Sequence, residues 1–401
     1  MGSIDSYREK IVYLDNNATT RVAPEALEAM LPFLREKYGN PSSMYSFGGD
    51  LETELDRARR RIASLLGCQP QEIVFTSCGS ESDNFAIRGL VDAYPEKRHI
   101  ITTTVEHPAI KNQIPYLKKR GLRVTEIPVD SKGNIDLNQI EEAIEKDTLL
   151  ISCMYANNET GVIFPVREIG DLARRRGVLF HSDAVQALGK LAIDLNDLPI
   201  DLLSFSGHKI HAPKGIGGLF IRRGIKIRPL IIGGHQERSR RGGTENLPYI
   251  VALGRAAELA AENINEENSR VAPLRDKLEK GILSAIESTE VNGTTEPRLP
   301  NTTNVGIHFI EGEALLLAMD KYNIAASTGS ACASGSLQPS HVLRAMGVPF
   351  TSIHGSVRFS LSIYNTEEEI DYVLQVLPEI VEKLRQVSPF HSLEDVKAFG
   401  A

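Results

Sequence analysis

The sequence predicts an α/β protein: a large domain on a mostly parallel sheet flanked by helices, followed by a smaller α/β domain. Three observations carry this. The chain has 401 residues, enough for one large core and a second, smaller one. Short apolar runs alternate with helical patterns between Ile73 and Ile221, the rhythm of strand–helix–strand units. After about residue 255 the texture changes to long charged helices. The expected division is 14–255 for the large domain and 256–401 for the small one. The small domain also takes in residues 1–13 and carries a mobile cysteine loop over 327–338.

Taken in order, Leu51, Leu55, Ala58, Ile62 and Leu65 recur at helical spacing and predict a helix with one buried stripe. Strands are expected at Ile73 to Phe75, Ile100 to Thr103, Val124 to Ile127, Leu149 to Met154, Val178 to His181, Leu202 to Phe205 and Gly218 to Ile221. Near the end, Thr366 and Glu369 form a capping box. Ile370, Val373, Leu374, Leu377, Ile380, Val381 and Leu384 then give a final amphipathic helix. Ser327 to Ser336 is the one stretch of low complexity, small residues around Cys332 with nothing large to pack.

Composition excludes several classes. Hydrophobic residues at 41% and charged residues at 24% are those of a folded globule. The formal net charge is −7 with the basic residues scattered, so a nucleic-acid partner is not expected. Apolar runs fall far short of the roughly 20 residues of a membrane span, and Met1 to Lys10 lack a secretory apolar stretch, so a cytoplasmic location is expected. The first six residues fit a myristoylation pattern formally, without polybasic support. Four cysteines, Cys68, Cys78, Cys153 and Cys332, show no metal-finger spacing. Cys68 and Cys153 sit among apolar residues and read as core.

Chemistry concentrates at strand ends. Ser206-Gly207-His208-Lys209 follows one apolar run, and Asp183 ends the run before it. A carboxylate and a lysine at adjacent carboxyl ends suit opposite sides of a flat cofactor, which is what pyridoxal 5′-phosphate requires: a Schiff-base lysine and an acid on the ring nitrogen. Thr76 to Ser82 joins a strand to a helix with small residues that can offer backbone N–H groups to a phosphate, although a plain N-cap turn reads the same way. Gly215 to Gly218 lacks the third glycine of a dinucleotide fingerprint and sits before a strand instead of after one.

In these and further segments the chain resembles the cysteine desulfurases of the aminotransferase class V family, in their NifS-like and IscS-like branch. The segments are Tyr13 to Thr20, Gly39 to Ser43, Glu106-His107, Asn157 to Gly161, the Asp183 and Lys209 motifs, Gly242 to Asn246, Ser330 to Cys332 and Val357 to Ser360. The resemblance implies a fold-type I pyridoxal-phosphate transferase that removes sulfur from L-cysteine, leaving L-alanine and a persulfide on Cys332. That sulfur is passed to an iron–sulfur scaffold or another acceptor protein.

It further implies that Lys209 holds the cofactor, Asp183 pairs with its ring nitrogen and His107 stacks on it and manages protons on the substrate sulfur. Asn158 and Gln186 would bond the phenolic oxygen. Gly79, Ser80, Ser206 and His208 would bind phosphate, with Thr244 supplied by the partner of a homodimer. Arg358, helped by Asn16 or the Asn40 segment, would grip the substrate carboxylate. Whether Cys332 also ligates an iron–sulfur cluster transiently stays open.

Taken singly, His107 before Pro108 also fits a turn cap, Arg358 a structural ion pair and Thr244 a plain loop residue. Three departures stand out from the family pattern: Ser80 in place of Thr, Cys78 where Gly is frequent, and Ile363 where an Arg is often found. Rival readings are a selenocysteine lyase or class V aminotransferase on the same scaffold, and a cofactor-free scaffold for sulfur assembly. Cys332 separates the first two, since transamination needs no acceptor thiol.

Overall fold

The computed structural model describes residues 10–328 and 339–389. The chain enters on a short strand, β1 (Val12–Tyr13). Seven strands then build the large sheet: β2 (Ile73–Thr76), β3 (His99–Thr103), β4 (Arg123–Ile127), β5 (Thr148–Ser152), β6 (Leu179–Asp183), β7 (Leu202–Ser206) and β8 (Gly217–Ile221). Their order is β2-β8-β7-β6-β5-β3-β4, and only β8 runs against the others. The remaining strands are β9 (Thr289–Val291), β10 (Thr302–Ile307), β11 (Ile324–Ala325) and β12 (Ser356–Ser360). β12-β10-β9 form an antiparallel sheet, and β1 pairs with β11.

The strands of the large sheet are apolar on both faces because helices cover both. Successive side chains point to opposite sides, so Ile73, Ile101, Ile151 and Leu203 enter one core while Val74, Ile100, Leu150 and Leu202 enter another. A third core lies around β10 and β12. It takes in Val12 and Leu14 from the start of the chain and Ile370, Val373 and Leu377 from the last helix. One helix, Leu247–Glu266, runs unbroken past residue 255, and a π-helical stretch, Glu267–Val271, joins it to the next (Ala272–Ala285).

The helix Glu52–Leu66 buries Leu55, Ala58, Ile62 and Leu66, with Leu65 only partly covered. The expected stripe ended on Leu65; at 3.6 residues per turn the position below Ile62 falls four residues on. The final helix (Glu367–Gln386) starts with the expected capping box. No helix among the described residues is long and apolar enough to cross a membrane.

Candidate active site

A cavity of about 290 Å³ opens at the carboxyl edge of the large sheet. The topology delivers its walls. β6 and β7 are parallel, with Asp183 opposite Ser204, so Asp183 and Ser206 emerge side by side and a 3₁₀ turn, Gly207–Lys209, carries Lys209 over the edge. β2 leads into the helix Gly79–Ala93, β3 into His107, and β5 into Met154 and Asn158. Such strand ends are where open α/β sheets gather ligands.

Lys209, Asp183, His107, Asn158 and Gln186 all line this cavity, as do Gly79, Ser80, Ser206, His208 and Arg358. Two expected residues do not. Asn16 faces a different cavity, of about 220 Å³, and its amide donates to the carbonyls of Tyr13 and Ser360; Asn17 and Ala18 take its place at the cavity wall. Thr244 lies in a separate groove with Thr76, Ser77 and Arg241. Cys332 lies outside the described residues, as do the rest of 329–338. The segment enters at Ser327, paired through its main chain with Arg358, and leaves at Ser340, whose hydroxyl donates to the buried Glu159 at 2.5 Å.

The Lys209 ammonium donates to the carbonyls of Asn17 (2.5 Å) and Ala18 (2.6 Å), so the loop after β1 folds over it. Asp183 accepts the Val185 N–H at 2.9 Å. Burial raises its carboxyl to about 6, against the opposing pull of the Val185 N–H and of Lys209. The His107 Nδ1 accepts the Ala109 N–H at 3.1 Å, capping a short helix as one reading expected, and this leaves its proton on Nε2, with the ring still on the cavity wall. Burial, and then Lys209, push its pKa down to about 4, so the imidazole is neutral at pH 7. His208 is pushed to about 4 by the same two causes in the same order, with Lys214 and Lys190 adding to them.

Arg358 meets a structural carboxylate, Asp15, at 2.7 Å and the Asn158 carbonyl at 2.9 Å, yet it still lines the cavity, and its Nε is buried without a partner. Glu106, at the base of His107, accepts from Thr103 and Met154; burial lifts it to about 8.

Pyridoxal phosphate fits this donor set. The Ser206 hydroxyl and the Gln186 Oε1 are buried with no hydrogen-bond partner among the described residues, which is costly unless a ligand completes them. A 15-residue helix begins at Gly79 beside Ser206. A Cβ at Gly79 would come within 2.7 Å of Val185, so glycine lets this helix start close against the strand ends, its free N–H groups and dipole favouring an anion. Cys78 caps the helix, its sulfur accepting the Glu81 N–H at 3.4 Å, and is thus a packed and bonded thiol on the wall. Cys153 is buried in the core as expected, whereas Cys68 is only partly covered; burial pushes the Cys68 thiol up to about 12 and Cys153 well above its ordinary value.

Two wall residues, Asn17 and Asp83, and two neighbours of wall residues, Asp15 bonded to Arg358 and Glu106 next to His107, had no assigned role in the sequence reading. For Asp83 a signal existed. It lies one turn after Gly79, beside Phe85, Ala86 and Ile87, a charge on a buried helix face.

The sequence profile of the aminotransferase class V family matches residues 12–373. The chain is 59% identical over 380 residues to a protein of Trichormus variabilis named cysteine desulfurase 2, covering 95% of each chain. It is 54% identical over 382 residues to cysteine desulfurase NifS of Azotobacter vinelandii, again covering 95% of each. A solved structure titled NifS-like protein superposes with a TM-score of 0.88 at 42% identity, covering 93% of this chain and all of that one. The matched region takes in all twelve strands and every cavity wall described above, and the chain belongs to the aminotransferase class V family.

Proposed function

We propose that the protein is a cysteine desulfurase, dependent on pyridoxal 5′-phosphate, that converts L-cysteine to L-alanine and loads the sulfur on Cys332 as a persulfide. One observation supports it above the rest: Lys209, Asp183, His107 and Arg358 converge on a single cavity where the Ser206 hydroxyl and the Gln186 Oε1 are left without a partner among the described residues. When bound, the cofactor supplies a carbonyl for the substrate amine and an electron sink for breaking bonds at Cα and Cβ.

The chain's residues then divide the work. Lys209 anchors the cofactor through Nζ and, once released, takes the proton from the substrate Cα. Asp183 holds a proton at the ring nitrogen; a cation there offsets the burial that otherwise raises this carboxyl. Gly79, Ser80, Ser206 and His208 hold the phosphate, with Thr244 reaching in from the partner of a homodimer. Asn158 and Gln186 flank the phenolic oxygen. Arg358 receives the substrate carboxylate. His107, neutral with its proton on Nε2, stacks on the ring and donates toward the substrate sulfur.

The Cys332 thiolate attacks that sulfur. The S–S bond forms as the Cβ–S bond breaks, and protons from the site complete alanine, so one cysteine and one thiol become one alanine and one persulfide. An iron–sulfur scaffold or another acceptor protein takes the sulfur on.

The test is incubation with L-cysteine and dithiothreitol, with borohydride trapping and peptide mass spectrometry alongside. Alanine and sulfide should appear one to one, with the cofactor on Lys209. Cys332→Ser should lose at least about 10²-fold in sulfide production while keeping the bound cofactor. An unmodified Lys209, or full activity in Cys332→Ser, would reject the reading; the latter would favour a lyase or transaminase.

A further inference from the structure

Behind Asp183 stands a second carboxyl that the reaction as described does not use. Asp83, on the helix that begins at Gly79, is 1% exposed and lines the same cavity. One oxygen of Asp83, one of Asp183 and a ring nitrogen of His107 all lie within 4.8 Å of one another. The two carboxyls are both buried, and an oxygen of one comes within 4.8 Å of an oxygen of the other. Two ionised carboxylates this close in a site shut off from water repel strongly, and one retained proton leaves the pair with a single negative charge.

The surroundings decide which partner keeps the proton. Asp183 faces Lys209 and accepts the Val185 N–H, and both favour its anion. Asp83 feels the negative charges of Asp183 and Glu106, and its Oδ1 is buried without a partner among the described residues. His181 lies 3.6 Å away, but its ring nitrogens are engaged by Ser152 and Ser204 at 2.9 Å, and burial holds it near 3, so it is neutral. His107 is neutral as well. Both burial and like charge therefore push the Asp83 carboxyl up.

We propose that Asp83 is a permanently protonated positioning residue, which donates its proton to Asp183 and so holds that carboxylate ionised and aimed at the ring nitrogen of the bound cofactor. This rests on the cofactor reading above. In proton terms, Asp83 contributes O–H, Asp183 is the shared acceptor, and the ring nitrogen supplies a second N–H donor to the same carboxylate. Were both carboxyls ionised, the trio with His107 would instead resemble a small cation site; the shared proton removes one anionic ligand.

The test compares Asp83→Asn with Asp83→Leu in the cofactor-loaded protein. Cofactor dissociation and the pH titration of the visible absorbance are followed, and both variants are checked by thermal melting. Asn retains a neutral donor, so its affinity should stay within about threefold and its titration should overlay the wild type. Leu removes the donor to a charged acceptor, which should weaken cofactor binding roughly ten- to a hundredfold and move the absorbance titration. A titration displaced by a unit or more in Asp83→Asn would mean that Asp83 carries charge, and a wild-type-like Leu variant would mean that it only packs; either overturns the proposal.

Should Asp83→Leu not fold, infrared difference spectra of wild type against Asp83→Asn carry the test. The carbonyl stretch of a protonated carboxylic acid should persist at pH 8 and vanish in the variant, and its absence from the wild type would overturn the proposal. A wild type that binds no pyridoxal phosphate would sink the functional reading, while the infrared signal still decides the carboxyl pair.

Discussion

Two of the buried arginines that meet carboxylates, Arg59 and Arg358, are finished differently. Arg59 grips Glu237 with both terminal nitrogens, at 2.8 and 2.7 Å, while also bonding the Ile73 carbonyl and lying 4.6 Å over the Phe75 ring. The carboxylate is used on both oxygens, since the Phe75 N–H joins in at 3.0 Å. Arg358 reaches Asp15 with one terminal nitrogen and the Asn158 carbonyl with the other, and it borders a cavity. A pair that exhausts its acceptors holds a fold. One that leaves an arginine edge on a cavity can still receive a carboxylate from outside.

The Arg59 pair has a backbone to hold. Glu237, Arg238 and Ser239 are all left-handed, with φ of 47°, 57° and 61°, a conformation that costs non-glycine residues roughly 1–2 kcal/mol each. Glu237 is tied down at the start of this run, and the turn continues through Gly242 and Gly243 to Thr244. The strained segment is thus carried on an ion pair that uses both carboxylate oxygens, beside the groove that holds Thr244, while Ser206 and Gln186 each keep an uncompleted oxygen at the cavity.

Mutations should separate the two cases. The largest expected effect is Arg59→Met, which leaves Glu237 buried and unpaired and should lower unfolding free energy by about 3–5 kcal/mol. Thermal or denaturant melting reads this directly, and an unchanged midpoint would show that the pair supports nothing. Next, Arg358→Lys keeps the charge but loses the planar fork. The KM for L-cysteine should rise about 10- to 100-fold, with kcat within a few-fold and melting little changed. Equal KM values would break the contrast, because Arg358 would then be as structural as Arg59.

The smallest effect concerns pH. Burial raises Glu106 to about 8 and Glu159 to about 7, so above the ordinary carboxylate range the folded protein binds more protons than the unfolded one, and stability falls as pH rises through this window. His107 and His208, lowered to about 4, work the other way, adding stability as pH rises from about 4 to their ordinary value of 6.5. Between pH 6.5 and 8 the carboxyl contribution keeps falling, opposed toward the top of the interval by Lys190, which burial lowers to about 8. Glu106→Gln should therefore flatten the decline in melting temperature across that interval by a few degrees, at roughly 2–4 °C per kcal/mol. A slope identical to wild type would mean that Glu106 is ionised in the fold throughout.

Local sequence was sufficient wherever the signal was local. Strand positions, the capping box at Thr366 and the final helix followed from periodicity and propensity, and the lysine and aspartate at adjacent strand ends followed from the strands. Register, closeness and the fate of individual donors were not available from it. Asn16 and Asn17 are neighbours in the chain, and only the pairing of β1 with β11 and the bond from Asn16 to Ser360 turn one away from the cavity and the other into it. Asp83 had no role in the sequence reading, and only the docking of its helix on β6 and β7 placed it near Asp183. The pattern of side chains along a segment decides what that segment becomes, because propensity acts over a few residues. Which groups lose their water together, and so which must share a proton or find a ligand, depends on contacts a hundred residues apart that exist only once the cores have closed.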